Sequence, residues 1–256
     1  MEFSEYLTAV RGEGEALARA AAEGLDPHVP CCPDWTVRDV VAHTGAVHRQ
    51  KEQIVRERWI DQAPPLVEAP TDGLLDWYNE GLDQLIATLA ETDPATPVYT
   101  WYEPDQTAGF WYRRMAHETA VHRVDVEQGH GIDGLVVADL AADGVDELLV
   151  VMLTGYPAWA EVAEYGSTLR LECTDQEAAW TLRYVTFSGR SPNTGTEFAD
   201  EPSFIFAEGS EPTAIARGTA SDLLLYGWGR RPLTALTVEG DLTLVADFRS
   251  VAADVT

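Results

Sequence analysis

Two stretches of the chain decide the fold and suggest the chemistry: residues 39–50, DVVAHTGAVHRQ, and residues 113–125, RRMAHETAVHRVD. Both have the apolar spacing of a helix. Glu118 and His122 are four residues apart, so on a helix they share one face at an angular offset of about 40°. A facing helix that brings His43 opposite them would collect two imidazoles and one carboxylate. That set is typical of catalytic zinc, which takes three protein ligands and leaves one position open.

Helical spacing also nominates polar neighbours for these ligands, because a zinc-bound histidine usually donates its second ring N–H to a carboxylate or carbonyl. Asp125 follows His122 by three residues, and Asp39 precedes His43 by four. Arg114 lies four residues before Glu118, where it could hold that carboxylate or meet an anionic substrate. The alternative for all three is a solvated helix face or an ordinary ion pair.

The other histidines are weaker candidates for the same site. His48 lies about 140° around the helix from His43, which predicts a surface or inter-domain position. His117 points about 100° away from its neighbour Glu118 and is a poorer ligand than His122. The two remaining histidines, His28 and His130, lie in loops or at helix ends and are not expected to bind metal.

Cysteine usage indicates reduced thiols. Three cysteines form no disulfide framework, and the adjacent Cys31 and Cys32 could pair with each other only through a strained ring. Cys32 precedes His43 by eleven residues, about 16 Å along a helix, which is too far for joint ligation unless the intervening loop folds back. Cys173 stands alone in the second half.

Composition narrows the range of partners. The 256 residues include 43 acidic and 17 basic side chains, for a formal net charge of -26. This charge would repel phosphate backbones and anionic membranes, so the sequence argues against nucleic acid and membrane partners. It contains neither a signal-peptide pattern nor a run of 18 apolar residues, which predicts a cytoplasmic protein. Lys51 is the single lysine, a bias that indicates GC-rich coding and a high-GC bacterium.

The change of apolar pattern along the chain predicts two domains. Helical periodicity dominates the first half, and alternation typical of strands begins near residue 167. The expected helices cover residues 3–23, 36–59, 74–91, 108–128, 138–156, 221–229 and 241–250. The expected strands lie in residues 167–175, 178–187, 212–220 and 233–241. We expect loops over residues 25–35 and over the Ser-, Gly-, Pro- and Asn-rich segment 188–211.

Aromatic side chains crowd the start of the fourth helix. Trp101, Tyr102, Trp111 and Tyr112 could line the mouth of a cofactor pocket there. Aromatic residues at helical spacing are also common in protein cores, so core packing is the alternative.

The segments CPDWTVRDVVAHTGAVHR, RRMAHETAVHRVDVE and ADGVDELL resemble the N-terminal domain of the maleylpyruvate isomerase family of mycothiol-dependent enzymes. The later segments ARGTASDLLLYGWGR and LTVEGDLTLVADF are similar to the C-terminal domain of the same family. The resemblance implies an α+β protein: a DinB-like four-helix bundle over residues 1–158, then a small α/β, sterol-carrier-like domain over residues 163–256.

The resemblance also implies a ligand set and a cofactor. The zinc ligands of the family fall on His43, Glu118 and His122, and the thiol of mycothiol would bind zinc at the open position. The metal-bound thiolate would then attack an electrophilic small molecule, as in cis-trans isomerisation of maleylpyruvate. Val124 stands where the family usually has a tryptophan after the His-Arg pair, a departure that bears on the pocket wall and the substrate.

Two other functions remain open at this point. The same site would serve a mycothiol S-transferase that acts on another electrophile or specialised metabolite and releases the conjugate. A function of another class is a non-catalytic module that binds a small ligand and holds a structural zinc, although structural zinc usually has four protein ligands. The sequence is compatible with a monomer or a homodimer.

Overall fold

The computed structural model describes residues 1–209 and 211–253, and the chain divides into two compact units, Met1–Val136 and Val137–Thr256. The first unit is helical and the second contains a five-stranded mixed sheet with helices, which confirms the α+β class. The last residues of the expected C-terminal domain, 254–256, lie outside the described residues.

The first unit is built on four helices: α1 Phe3–Ala21, α2 Val37–Glu57, α3 Leu74–Glu91 and α4 Ala108–Gly129. α1 packs against α3 and α4, and α2 packs against the same two helices, so the four enclose one core. The largest side chains fully buried there are Leu17, Ile54, Tyr78, Leu85, Leu89, Trp111 and Met115. The bounds agree with the sequence predictions to within about two residues at each end, the usual uncertainty of helix ends.

A short hairpin, β1 His28–Val29 and β2 Cys32–Thr36, replaces the loop expected over residues 25–35. The first N–H groups of a helix need partners outside it. Here the carbonyls of Pro27 and Leu25 accept hydrogen bonds from the N–H groups of Val37 and Arg38, at 2.9 Å each. The segment therefore folds back onto the start of α2, and this fold places both adjacent cysteines beside α4.

α4 is buried on nearly every side, in contrast to the other helices of the unit. Its buried residues include charged groups as well as apolar ones, namely Arg114, Arg123 and Asp125. Arg123 is neutralised by Glu13 and Glu127, each at 2.6 Å. Buried charges persist only when they are paired, so the polar positions of α4 depend on partners from the surrounding elements.

The surface or inter-domain position predicted for His48 is wrong. The residue is fully buried, and its Nε2 lies 2.9 Å from the hydroxyl of Thr119 on α4. The angle around α2 correctly turns His48 away from His43, but in a four-helix bundle that face is also interior. Burial lowers the pKa of His48 to about 3, so the ring is neutral at physiological pH.

The second unit begins with α5 Ala138–Glu147, which continues into a π-helical segment, Leu148–Leu153. The sheet order is β5-β4-β3-β6-β7, antiparallel except for the β3–β6 pair. The strands are β3 Glu161–Cys173, β4 Ala179–Arg190, β5 Glu197–Phe206, β6 Ala214–Gly218 and β7 Thr237–Gly240. The helices α6 Ala220–Gly227 and α7 Leu242–Ala253 complete the unit, and Phe204 and Phe248 pack edge to face in its core.

The compact units divide at Val136, earlier than the predicted domain boundary between residues 158 and 163. The reason is that α5 packs against α6 and belongs with the second unit. The sequence pattern showed that α5 is a helix, but periodicity does not reveal which neighbour covers the apolar face of a helix.

The strand β5 lies within residues 188–211, which were predicted to form a loop. Its composition does not predict a strand, because it contains Pro202 and three acidic residues, Glu197, Asp200 and Glu201. Asp200 also has a left-handed backbone with φ of 53°. Proline within a sheet is mostly confined to edge strands, and β5 is an edge strand. The helix α6 also starts earlier than expected, since its cap is Thr219, whose side chain accepts a hydrogen bond from the Asp222 N–H, and not Ser221.

Among the helices within residues 1–209 and 211–253, none combines the length and the hydropathy needed to cross a membrane.

Burial of His48 makes stability dependent on pH. Its folded-state pKa of about 3 lies below the unfolded value of 6.5, so its contribution to stability is complete above pH 6.5 and is lost as the pH falls towards 3. Within that window we expect protonation of this one group to lower the free energy of unfolding by up to about 1.4 kcal/mol for each unit by which the pH falls. Urea unfolding followed by circular dichroism at several pH values measures the slope.

The matched variants are His48→Gln, which keeps a side chain able to bond Thr119, and His28→Gln on the exposed hairpin. We expect the first to flatten the slope and the second to leave it unchanged. Equal slopes in wild type and His48→Gln would show that the buried ring does not resist protonation.

Candidate metal centre

The structure brings the three predicted ligands together at the interface of α2 and α4. Glu118 Oε1 lies 3.4 Å from His43 Nε2 and 3.2 Å from His122 Nε2. One ligand atom from each of the three residues lies within 4.8 Å of the others. The two imidazole rings meet edge to face, with centroids 5.1 Å apart, so both Nε2 atoms face the same carboxylate oxygen.

These distances fit a zinc ion. Tetrahedral zinc with nitrogen and oxygen ligands at 2.0–2.2 Å holds those ligand atoms about 3.3–3.5 Å apart. The His–Glu distances of 3.2 and 3.4 Å are close to this range without movement of the backbone. Two imidazoles and one carboxylate form a common donor set for catalytic zinc.

The Glu118 carboxylate is largely buried, with 18% of its side chain exposed, and it is charged. Burial alone would raise its pKa, but the positive charge of His122, hydrogen bonds with both histidines and the Arg114 guanidinium hold it well below its usual value. Arg114 is itself buried, and its Nη2 donates to Glu118 Oε2 at 2.9 Å. Because Arg114 holds one carboxylate oxygen, the other oxygen remains directed at the two histidines.

Asp125 orients His122 from the opposite side of the ring. Its carboxylate is fully buried, and Oδ2 lies 2.9 Å from His122 Nδ1. Burial lowers the pKa of His122, but the charges and hydrogen bonds of Glu118 and Asp125 outweigh burial and raise it to about 9. With Nδ1 held by Asp125, His122 presents Nε2 to the site, which is the arrangement that metal-binding histidines usually have.

Asp39, which helical spacing predicted to lie beside His43, bonds the capping residue of α2 instead. Its Oδ2 accepts hydrogen bonds from the Thr36 N–H at 2.8 Å and from the Thr36 hydroxyl at 2.6 Å. These bonds lower the pKa of Asp39. Asp39 is the third residue of α2, where a short acidic side chain commonly reaches back to the capping residue, so its role is capping.

Sequence reasoning missed Trp35 as part of the site. Its ring lies 5.1 Å from the ring of His43 and stacks at 6.4 Å, with an interplanar angle of 20°, on the ring of His122. Trp35 is the residue before the cap of α2, and the hairpin carries it over the two histidines. The side chain of His43 remains 32% exposed, compared with 12% for His122, so the site opens towards solvent on the His43 side.

Lys51 lies close enough to Glu118 for their charges to interact, and no sequence pattern indicated this. Burial lowers the pKa of its ammonium to about 8, with the nearby Glu118 raising it and Arg114 lowering it. The ammonium lies 4.8 Å from the centroid of the Trp111 ring. The one sequence feature that distinguishes Lys51 is that it is the single lysine of an arginine-rich chain. That feature does not predict whether the side chain is buried.

The aromatic candidates are divided between core and surface. Trp111 and Tyr112 are buried, with Trp111 Nε1 donating to the Tyr99 carbonyl at 2.9 Å and the Tyr112 hydroxyl to the Thr92 carbonyl at 2.8 Å. Trp101 is 44% exposed and, with Tyr102, packs on Phe110. Val124 is fully buried.

Comparison with protein-family models identifies both parts of the chain. Residues 7–127 match the mycothiol maleylpyruvate isomerase N-terminal domain, and residues 139–247 match the C-terminal domain of the same family. Comparison with curated protein sequences finds no match.

Solved structures resemble the chain along nearly its whole length. A crystal structure of a histidine-to-alanine mutant of the mycothiol-dependent maleylpyruvate isomerase has a TM-score of 0.60 at 13% identity, and a crystal structure of the mycothiol-dependent maleylpyruvate isomerase has a TM-score of 0.58 at 14% identity. In both comparisons the match covers 94% of this chain and 95% of the other. At such identities the likeness establishes the fold, and together with the two matched domains it shows that this chain belongs to the mycothiol-dependent maleylpyruvate isomerase family.

Proposed function

We propose that the protein is a zinc- and mycothiol-dependent enzyme that acts on an electrophilic small molecule, with cis-trans isomerisation of the maleylpyruvate type as its reaction. The observation that carries the proposal is that His43 Nε2 and His122 Nε2 lie 3.4 and 3.2 Å from Glu118 Oε1, distances that suit ligands of one zinc ion. Zinc together with the thiol cofactor supplies a thiolate nucleophile at neutral pH.

The residues around the ligands prepare the site for a cation. Asp125 fixes the ring of His122, and Arg114 fixes the carboxylate of Glu118, so two of the three ligand side chains are held before a metal binds. Such outer contacts set the orientation and basicity of metal ligands. Trp35 covers one side of both imidazoles and limits the approach of water there.

Lys51 favours a negatively charged substrate. With a pKa of about 8 its ammonium is mostly protonated at neutral pH, and it is partly shielded from solvent above the Trp111 ring. A partly buried cation interacts more strongly with an anion than an exposed one, because water screens it less. We therefore assign Lys51 the role of attracting a carboxylate of the electrophile towards the site.

A structural zinc without catalysis is less consistent with this geometry. Structural zinc sites are normally closed by four protein ligands, whereas the cluster offers three and includes a partly exposed histidine. Three ligands and an accessible face are the arrangement that leaves a coordination position for a cofactor or substrate atom.

Removal of one imidazole should eliminate tight zinc binding at the cluster of His43, Glu118 and His122. We expect His122→Ala to bind one equivalent of zinc fewer than wild type at micromolar metal, in competition with a chromophoric chelator, because two remaining ligands do not complete the set. The control is His130→Ala at the end of the same helix, outside the cluster, which should bind one zinc at this site as wild type does. Undiminished binding in His122→Ala would disprove the assigned ligand set.

Loss of the Asp125 charge should weaken zinc at the cluster of His43, Glu118 and His122 without removing a ligand of that cluster. We expect Asp125→Asn to lower the zinc affinity of the cluster roughly 10–100-fold, since the carboxylate raises the basicity of the His122 ring. The exposed Asp133, changed to Asn, serves as the matched control and should leave affinity unchanged. The same chelator competition measures both variants, and equal affinities would exclude a supporting role for Asp125.

Calorimetric titration of mycothiol into the zinc-loaded protein tests the function, with two buffers of different ionisation enthalpy to count protons. We expect saturable binding with about one proton released per site, because the thiol loses its proton when it meets a metal cation. His122→Ala should show no such binding. Lack of binding to the zinc-loaded wild type would contradict the thiol-cofactor proposal.

The fate of the thiol distinguishes the two reaction types. An isomerase converts maleylpyruvate to its trans isomer with catalytic amounts of mycothiol, whereas an S-transferase consumes one mycothiol per product and releases a conjugate. Mass spectrometry of the products, with the cofactor below the substrate concentration, separates them. We expect many turnovers per mycothiol.

A further inference from the structure

We propose a second metal site in the first unit, formed by the thiolates of Cys31 and Cys32 and the carboxylate of Asp125, for a zinc-type divalent cation. The proposal is independent of the mycothiol-dependent function. It accounts for the position of two adjacent cysteines beside a buried aspartate, which the arrangement around His43 does not require.

The hairpin brings these groups together. Cys31 lies in the turn and Cys32 begins β2, and both thiols are partly buried. Their sulfur atoms are 3.7 Å apart, and Cys31 Sγ lies 3.1 Å from Asp125 Oδ1 on α4. One donor atom from each of the three residues lies within 4.8 Å of the others.

The separation of the sulfur atoms suits a metal better than a disulfide. Two thiolates bound to tetrahedral zinc at about 2.3 Å lie about 3.8 Å apart, close to the 3.7 Å observed. A disulfide would require the sulfurs to approach to about 2.0 Å, and a bond between adjacent residues closes a strained ring. Zinc binding therefore requires less rearrangement of Cys31 and Cys32 than oxidation does.

The third donor needs only a small displacement. A zinc-bound sulfur and a zinc-bound carboxylate oxygen lie about 3.6 Å apart, so the Cys31–Asp125 distance of 3.1 Å would open by about half an ångström. A partly exposed turn allows that movement. Thiolate, thiolate and carboxylate are all zinc ligands, and the softness of two sulfurs excludes magnesium and calcium as preferred occupants.

Asp125 would be shared between the two sites. Its Oδ2 holds His122 Nδ1, and its Oδ1 faces the cysteine pair, so a cation there would sit on the opposite side of Asp125 from the His122 ring. Occupation of the cysteine site would thereby affect the carboxylate that positions one ligand of the first site. The second cation would position Asp125 and take no part in the reaction itself, with a solvent molecule at the partly exposed turn as its fourth ligand.

Cobalt(II) titration of the reduced, metal-free full-length protein tests the proposal, in the absence of mycothiol and under nitrogen. Cobalt bound to thiolate absorbs in the near ultraviolet by charge transfer, whereas cobalt bound only to histidine and carboxylate does not. We expect wild type to take up two equivalents and to develop the thiolate absorption. Cys31→Ser and Cys32→Ser should each lose the absorption and one equivalent.

Two control variants separate the sites. Cys173→Ala removes the third cysteine, which is buried in the second unit, and should retain both equivalents and the absorption. His43→Ala should lose one equivalent but retain the absorption. A wild type that binds one equivalent without thiolate absorption overturns the proposal, and so does absorption that persists in Cys31→Ser and Cys32→Ser.

A measurement without mutation covers the possibility that a serine variant folds poorly. Zinc should suppress alkylation of Cys31 and Cys32 by iodoacetamide in the wild-type protein, as followed by peptide mass spectrometry. His43→Ala should show the same suppression, since its cysteine site is intact. Alkylation of the pair at the same rate with and without zinc overturns the proposal, whatever the outcome of mycothiol titration.

Discussion

Neutralisation of the Glu118 charge inside the helical bundle is the constraint on which the rest of the first unit depends. A buried carboxylate is costly unless its charge is balanced and its oxygens are bonded. α4 supplies Arg114 and His122, one helical turn before and after Glu118, and α2 supplies His43. The helices must pack in a register that brings all three partners to Glu118, so the polar cluster specifies the packing as well as the chemistry.

This cluster is charge-balanced before a metal arrives. His122 has a pKa of about 9 and therefore carries a proton at neutral pH in the metal-free protein, and Asp125 holds that imidazolium from the other side. A zinc ion would replace one positive charge with two at nearly the same place. A cation bound at this cluster would therefore take the place of the proton on His122.

The sequence predicted the proximity of Glu118 and His122 because their geometry is local. Glu118 and His122 lie on the same helix, where a separation of four residues fixes their relation. Arg114 and Asp125 obey the same spacing rule and are found where it places them. The spacing rule also put Asp39 on the face of His43, but its carboxylate instead accepts hydrogen bonds from the N–H and the hydroxyl of Thr36.

The features that escaped prediction depend on contacts distant in sequence. His48 is buried because α4 covers it, and the hairpin of Cys31 and Cys32 forms because the start of α2 needs acceptors. Trp35 reaches the histidines only through that hairpin. The strand β5 has a composition typical of a loop, and it is held in the sheet by backbone pairing with β4, which no side-chain pattern reports.

The composition of β5 has a consequence for self-association. An exposed sheet edge invites pairing with the edge of another molecule, and natural proteins discourage this with proline, acidic side chains and local backbone distortion. β5 carries all three: Pro202 lacks an N–H, Asp200 has a left-handed backbone, and Glu197 and Glu201 add charge. At the other edge, β7 has only four residues. If two copies of this chain assemble, the contact should use helices or loops, and the sheet of one copy should not continue into the sheet of the other.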